Sequence, residues 1–106
     1  MRVLGTVVEK ESGRPLEGLL VRAYDKDLIR DDHLGDTHTD ASGRFEIEYS
    51  EFQFRDYNET LPDLYLHVFD PSGKRMLHST EDAVRKNAKV LERFEIRIPG
   101  AKLAGS

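Results

Sequence analysis

The chain has 106 residues, 38% hydrophobic and 34% charged, with a net charge of -4 and no cysteine. That length holds one domain with one core. The lack of cysteine excludes disulfides, thiolate metal sites and cysteine nucleophiles, and the acidic balance argues against a nucleic-acid partner, which needs clustered Lys and Arg.

No apolar run approaches the ~18 residues of a membrane span, so none is expected. The opening MRVLGTVVEK reads as a strand rather than a signal peptide. Hydrophobicity repeats every second residue almost throughout, the period of strands with one buried face. Residues 2–9 are β-rich, and residues 11–18, ESGRPLEG, form a turn in which Gly13 and Gly18 supply loose backbone and Pro15 fixes the approach to the next strand. In residues 19–25, Leu19, Val21 and Ala23 share one face while Leu20, Arg22 and Tyr24 share the other. Residues 24–49 then carry six aspartates and two histidines, the first part of which reads as an acidic loop after a strand. Residues 44–49 alternate again, with Phe45, Ile47 and Tyr49 on one face.

Residues 50–63 form a long mixed connection in which Phe52, Phe54, Tyr57 and Leu61 are interspersed with charges. Residues 63–70 are almost continuously apolar and read as a central strand; Asp70-Pro71-Ser72-Gly73-Lys74 is a tight turn, and 75–79 its hairpin partner. Thr80, followed by acids, reads as the N-cap of a short helix near 80–88, or of a turn. Residues 93–99 place Phe94, Ile96 and Ile98 inward and Arg93, Glu95 and Arg97 outward, and Pro99 ends the strand. The expected fold is an all-β, antiparallel sandwich of seven or eight strands over residues 1–100, followed by a tail at 101–106 whose Gly-Ser end reads as a cloning scar.

The order Gly5-Thr6-Val7, Gly13-Arg14-Pro15-Leu16-Glu17-Gly18, Val21-Arg22-Ala23-Tyr24-Asp25, Leu34-Gly35 and Thr39-Asp40-Ala41-Ser42-Gly43-Arg44-Phe45 resembles the transthyretin-like domains, which include prealbumin-like and carboxypeptidase regulatory-like modules. Phe94-Glu95-Ile96-Arg97-Ile98-Pro99 resembles the closing strand of secreted transthyretin-like proteins. The resemblance is close over residues 3–49 and loose over 62–99. It implies a β-sandwich, a secreted or periplasmic setting and self-association through edge strands. Three chemistries of related sandwiches lack their residues here. The hydroxyisourate hydrolases carry a first-strand His and a C-terminal Tyr-Arg-Gly-Ser, where this chain has Val3-Leu4-Gly5 and Leu103-Ala104-Gly105-Ser106. Intradiol dioxygenases need two Tyr and two His on iron, in a surrounding sequence not found here. Modules with an internal isopeptide bond need an acceptor for Lys10, and residues 93–99 hold no Asn or Asp.

Two candidate sites stand out. Asp25, Asp27, Asp31, Asp32 and Asp36 offer the dense hard oxygens that Ca²⁺ takes, and Asp70 could join them; EF-hand spacing is absent, and local Asx turns explain the same residues without a metal. Phe52, Phe54 and Tyr57 offer an aromatic loop for ligand or partner contact, or for capping one end of the sandwich. His33 and His38 could join Asp36 or Asp40 on a transition metal, although a spacing of five is no standard ligand pattern. His67 shares a face with Tyr65 and Phe69, and neither it nor His78 has an activated nucleophile nearby, with Ser79 and Asp70 the only local partners. The expectation is a non-catalytic binding or protein-interaction module, stand-alone or accessory, without a resident cofactor, that engages a protein partner or itself through end loops or edge strands. A calcium-binding module is the second reading and a hydroxyisourate hydrolase the third.

Overall fold

The structure, a computed structural model, describes residues 1–50 and 61–103. The strands are β1 (Arg2–Glu9), β2 (Leu20–Asp25), β3 (Asp32–His38), β4 (Arg44–Glu48), β5 (Leu64–Phe69), β6 (Met76–Ser79) and β7 (Leu91–Ile98), followed by a one-turn helix α1 (Gly100–Leu103). They form a three-stranded sheet, β4-β1-β7, facing a four-stranded sheet, β3-β2-β5-β6. The alternating residues meet between the sheets: Val3, Val7, Phe45, Ile47, Phe94, Ile96 and Ile98 from one, Val21, Ala23, Leu34, Leu64, Leu66, Val68 and Leu77 from the other. Each such side chain stabilises the fold by about 1.5–3 kcal/mol when fully buried.

Three features depart from the pattern expected of the sequence. β1 and β7 pair in parallel, Arg2 beside Leu91 through Glu9 beside Ile98, within an otherwise antiparallel sandwich. Residues 32–38, expected within the acidic loop, form the edge strand β3. A register shift opposite Ala23 and Tyr24 breaks the alternation there, and Leu34 is the strand's one buried side chain, so no period-two signal shows in the sequence. The helix expected near 80–88 is a single 3-10 turn, Glu81–Ala83. The Thr80 hydroxyl does not cap it and instead accepts the Leu66 N–H at 2.8 Å. Beyond it, Arg85 and Leu64 exchange two backbone hydrogen bonds of 2.9 Å, so the segment is held sideways against β5.

The turns follow their sequence chemistry. Asp40 Oδ1 accepts the N–H groups of Ser42 and Arg44, both at 2.9 Å, and Gly43 takes φ +73°, where an added Cβ would lie 2.6 Å from the Val7 carbonyl oxygen. Asp70 Oδ1 likewise accepts the Ser72 hydroxyl at 2.7 Å and the Lys74 N–H at 3.1 Å. Buried Thr39 joins two segments: its hydroxyl donates to the Leu16 carbonyl at 2.6 Å and accepts the Leu19 N–H at 3.0 Å. At the C-terminal side, Leu103 packs against the core and Arg75 Nη2 donates to the Lys102 carbonyl, so residues 101–103 are part of the fold.

Candidate functional site

The outer face of the four-stranded sheet gathers the aromatic and ionisable side chains that point away from the core. Register sets the rows: Tyr24 lies between Tyr65 and His33, and Arg22 between His67 and Asp36. The Tyr24 and Tyr65 rings stack with centroids 5.1 Å apart, and His67 sits 5.1 and 5.2 Å from them. His33 tilts against Tyr24 at 5.7 Å, and the Arg22 guanidinium lies 5.1 Å from the centre of the Phe69 ring. The face is a ring cluster bordered by charge.

This cluster is the base of the β2–β3 loop, residues 26–31. The Tyr65 hydroxyl donates to Asp31 Oδ2. Asp31 Oδ1 accepts the Asp27 N–H at 3.0 Å, and Asp27 Oδ1 accepts the Leu28 N–H at 2.6 Å. Those bonds, the Asp27 N–H first and the Tyr65 hydroxyl second, hold the Asp31 carboxyl below the usual carboxylate range. Burial and the Asp31 partnership push the Tyr65 phenol up. Lys26 Nζ lies 2.6 Å from Glu81 Oε2 and 5.6 Å from the Tyr65 ring centre, while its N–H donates to the Asp63 carbonyl at 2.8 Å. Glu81 Oε1 also lies 3.4 Å from His67 Nε2. Lys26 is raised and Glu81 lowered by their shared hydrogen bond above all.

The loop held in this way presents two aliphatic side chains to solvent. Leu28 and Ile29 are 101% and 97% exposed. Sequence reasoning missed them, although two adjacent aliphatics inside Asp27-Leu28-Ile29-Arg30-Asp31-Asp32 were a readable signal: an apolar pair that no strand claims.

The sequence-selected aspartates fall in different surroundings. Asp25 is fully buried and its Oδ1 accepts the Asp63 N–H at 2.8 Å. Asp27 and Asp31 stabilise the loop as described. Asp32 pairs with Asp25 in the sheet register, and Asp36 lies 3.6 Å from Arg22 and 3.7 Å from His33. His38 sits at the other end of β3, opposite Leu20. Asp70 occupies its own turn. Among the described residues, no three His, Asp or Glu side chains gather as a metal site. His78 is partly buried, which lowers its pKa, and Ser79 Oγ accepts the Glu81 N–H at 3.1 Å. Among the described residues, the hydrogen bond made by a histidine goes to the Glu81 carboxylate, not to a hydroxyl that it could activate. Phe52, Phe54 and Tyr57 lie outside the described residues.

A family model described as the Transthyretin-like family matches residues 12–99. No curated protein matches the chain. Among solved structures, the chain is similar to a 9R-lipoxygenase from Cyanothece PCC8801, with 25% identity and a TM-score of 0.65; the match covers 90% of this chain and 16% of the lipoxygenase chain.

Proposed function

The chain belongs to the transthyretin-like family, and on that premise we propose that it is a non-catalytic binding module, standing alone or as an accessory domain of a larger protein. The observation that carries this reading is the β2–β3 loop. Hydrogen bonds from Asp27, Asp31 and Tyr65 fix its base, and Leu28 and Ile29 stand fully exposed at its tip. Ordering a recognition loop before contact reduces the entropy lost on binding. The ionisable groups beneath it are engaged with one another, as in Lys26–Glu81 and Tyr65–Asp31, which suits support of a surface better than attack on a substrate. The accessory form draws support from the 9R-lipoxygenase, in which a resembling segment makes up 16% of a much larger enzyme chain.

The test is hydroxyisourate turnover, followed by the decay of its ultraviolet absorbance, for the protein and for His67→Ala. A binding module leaves the decay at the buffer rate in both. Saturable, protein-dependent acceleration that His67→Ala abolishes would overturn the proposal.

A further inference from the structure

One arginine ties the two sheets together at the open side of the sandwich. Among the described residues, β7 is an end strand of its sheet and pairs with β1 alone. Arg2 N–H donates to the Val90 carbonyl at 2.8 Å, and Lys10 N–H to the Ile98 carbonyl at 2.9 Å. In a parallel ladder this fixes the alternation: the even-numbered residues of β7 bond to β1, and Leu91, Arg93, Glu95 and Arg97 turn their N–H and C=O groups to the free edge. An eight-residue strand with such an edge is a template for another strand. Arg85 lies across that edge. Its backbone belongs to the opposite sheet, through the two 2.9 Å bonds it exchanges with Leu64. Its side chain reaches the other way. The guanidinium carbon lies 3.7 Å from the centre of the Phe94 ring, and Nη1 lies 2.8 Å from Glu92 Oε1 and donates to the Arg93 carbonyl at 2.7 Å. Glu92 is mostly buried, and its Oε2 accepts the Lys89 N–H at 2.7 Å. Asn87 N–H to Asp63 Oδ1 at 3.0 Å and Ala88 N–H to the Pro62 carbonyl at 2.8 Å fix the segment behind it.

We propose that Arg85 guards this edge and keeps β7 from pairing with the β7 strand of a second copy. A second copy is the occupant that fits, because the exposed face of β7 is self-complementary in one antiparallel register. With the two strands turned about Phe94, Arg93 lies opposite Glu95 of the other copy and Glu95 opposite its Arg93, all four side chains being exposed on one face. Both are hydrogen-bonded pairs of the free edge, so each Arg93 carbonyl must accept the Glu95 N–H of the other copy. That carbonyl is the one Arg85 holds, once in each copy. The guanidinium therefore takes the acceptor that the dimer needs and stands where the incoming strand would lie. Glu95 now lies 2.9 Å from Arg97 along its own strand, but both side chains are 63% exposed, so exchanging Arg97 for an Arg93 of the second copy costs little. The guard does not depend on what the module binds.

The experiment is sedimentation of the full chain and of Arg85→Met across a concentration series, with amide hydrogen exchange read by NMR. Met keeps an unbranched side chain over the Phe94 ring and has no donor. Glu92→Gln is the second variant: it leaves Arg85 in place and removes the charge that orients it, so the test stands even where Arg85→Met does not fold. A cooperative melt by circular dichroism establishes which variants are folded. The expected result is self-association about tenfold or more tighter in Arg85→Met, because one backbone bond per copy becomes available, and a smaller gain in Glu92→Gln. Exchange then slows at the Arg93 and Glu95 amides, which stay unprotected in the parent. Glu95→Arg added to Arg85→Met sets like charges opposite each other and abolishes the gain, and Arg93→Glu added to both restores it. Association unchanged in the folded variants, a gain that Glu95→Arg leaves intact, or a parent dimer with protected Arg93 and Glu95 amides overturns the proposal. Each of these leaves the binding-module reading standing, since that falls to the turnover assay.

Discussion

Tyr65→Phe isolates the hydrogen bond that ties the loop to the ring cluster. Tyr65 is 3% exposed and stacked on Tyr24, so Phe keeps the packing and removes only the hydroxyl that donates to Asp31 Oδ2. A hydrogen bond to a charged acceptor contributes roughly 1.5–3 kcal/mol, and the partial exposure of Asp31 brings the expectation down to about 1–1.5 kcal/mol. For a domain of this size, each kcal/mol moves the melting midpoint by roughly 4–8 °C. The variant should therefore melt some 5–10 °C below the parent at neutral pH. The sign of the pH dependence follows from Asp31. Its folded pKa is lowered, so its contribution is fully present above the unfolded value of about 3.9 and is lost as pH falls through the folded value. The gap between parent and variant should accordingly narrow below about pH 4. Circular dichroism melts across that range measure it, and Asp31→Asn provides the cycle: in that background Tyr65→Phe should cost distinctly less. Equal midpoints at neutral pH, or a gap unchanged at acid pH, would refute the coupling of loop to cluster.

Three further outcomes test other parts of the structure. Millimolar Ca²⁺ added after EDTA should leave the melting midpoint unchanged, because Asp25, Asp27 and Asp31 already accept protein hydrogen bonds; a calcium-specific rise, about 2.7 kcal/mol of stability at a hundredfold excess over Kd, would show a site there. Gly5→Ala should destabilise by about 1–3 kcal/mol in chemical denaturation, since the new Cβ would overlap the Phe94 carbonyl oxygen and come within 3.0 Å of Phe45 Cζ; an unchanged midpoint would show that β1 and β7 separate easily. Thr39→Val keeps the shape but strands the Leu16 carbonyl and Leu19 N–H, and should cost about 1–3 kcal/mol by the same measurement; a neutral result would mean that other partners replace the hydroxyl.

What could be read from the sequence was whatever local rules govern. Period-two alternation identified the faces of β2, β4 and β7, because burying one face of a strand requires it. Thr39-Asp40 with Gly43, and Asp70 with Gly73, revealed their turns because a carboxylate accepting following N–H groups, with a glycine at positive φ, is itself local chemistry. β3 stayed hidden because an edge strand with a register shift and one buried side chain owes its place to its neighbour rather than to its own pattern. The ring cluster was half visible. Tyr65, His67 and Phe69 share a face by alternation, but Tyr24 and His33 join them through cross-strand register, which alternation does not fix.

The acidic stretch shows why residue type alone leaves function open. Asp27 and Asp31, read from spacing as oxygen ligands, use their carboxylates to hold the backbone of a loop whose exposed side chains are Leu28 and Ile29. A charged sequence thus builds an apolar tip, and the Asp27 and Asp31 carboxylates hold the backbone beneath it. Because the same Asp31 carboxylate meets both the Asp27 N–H and the Tyr65 hydroxyl, the order of the tip depends on a buried ring of the sheet behind it. If the loop carries the proposed binding function, a change at Tyr65 should weaken it without touching the exposed side chains, and the loss should be smaller than that from replacing Leu28 and Ile29 themselves.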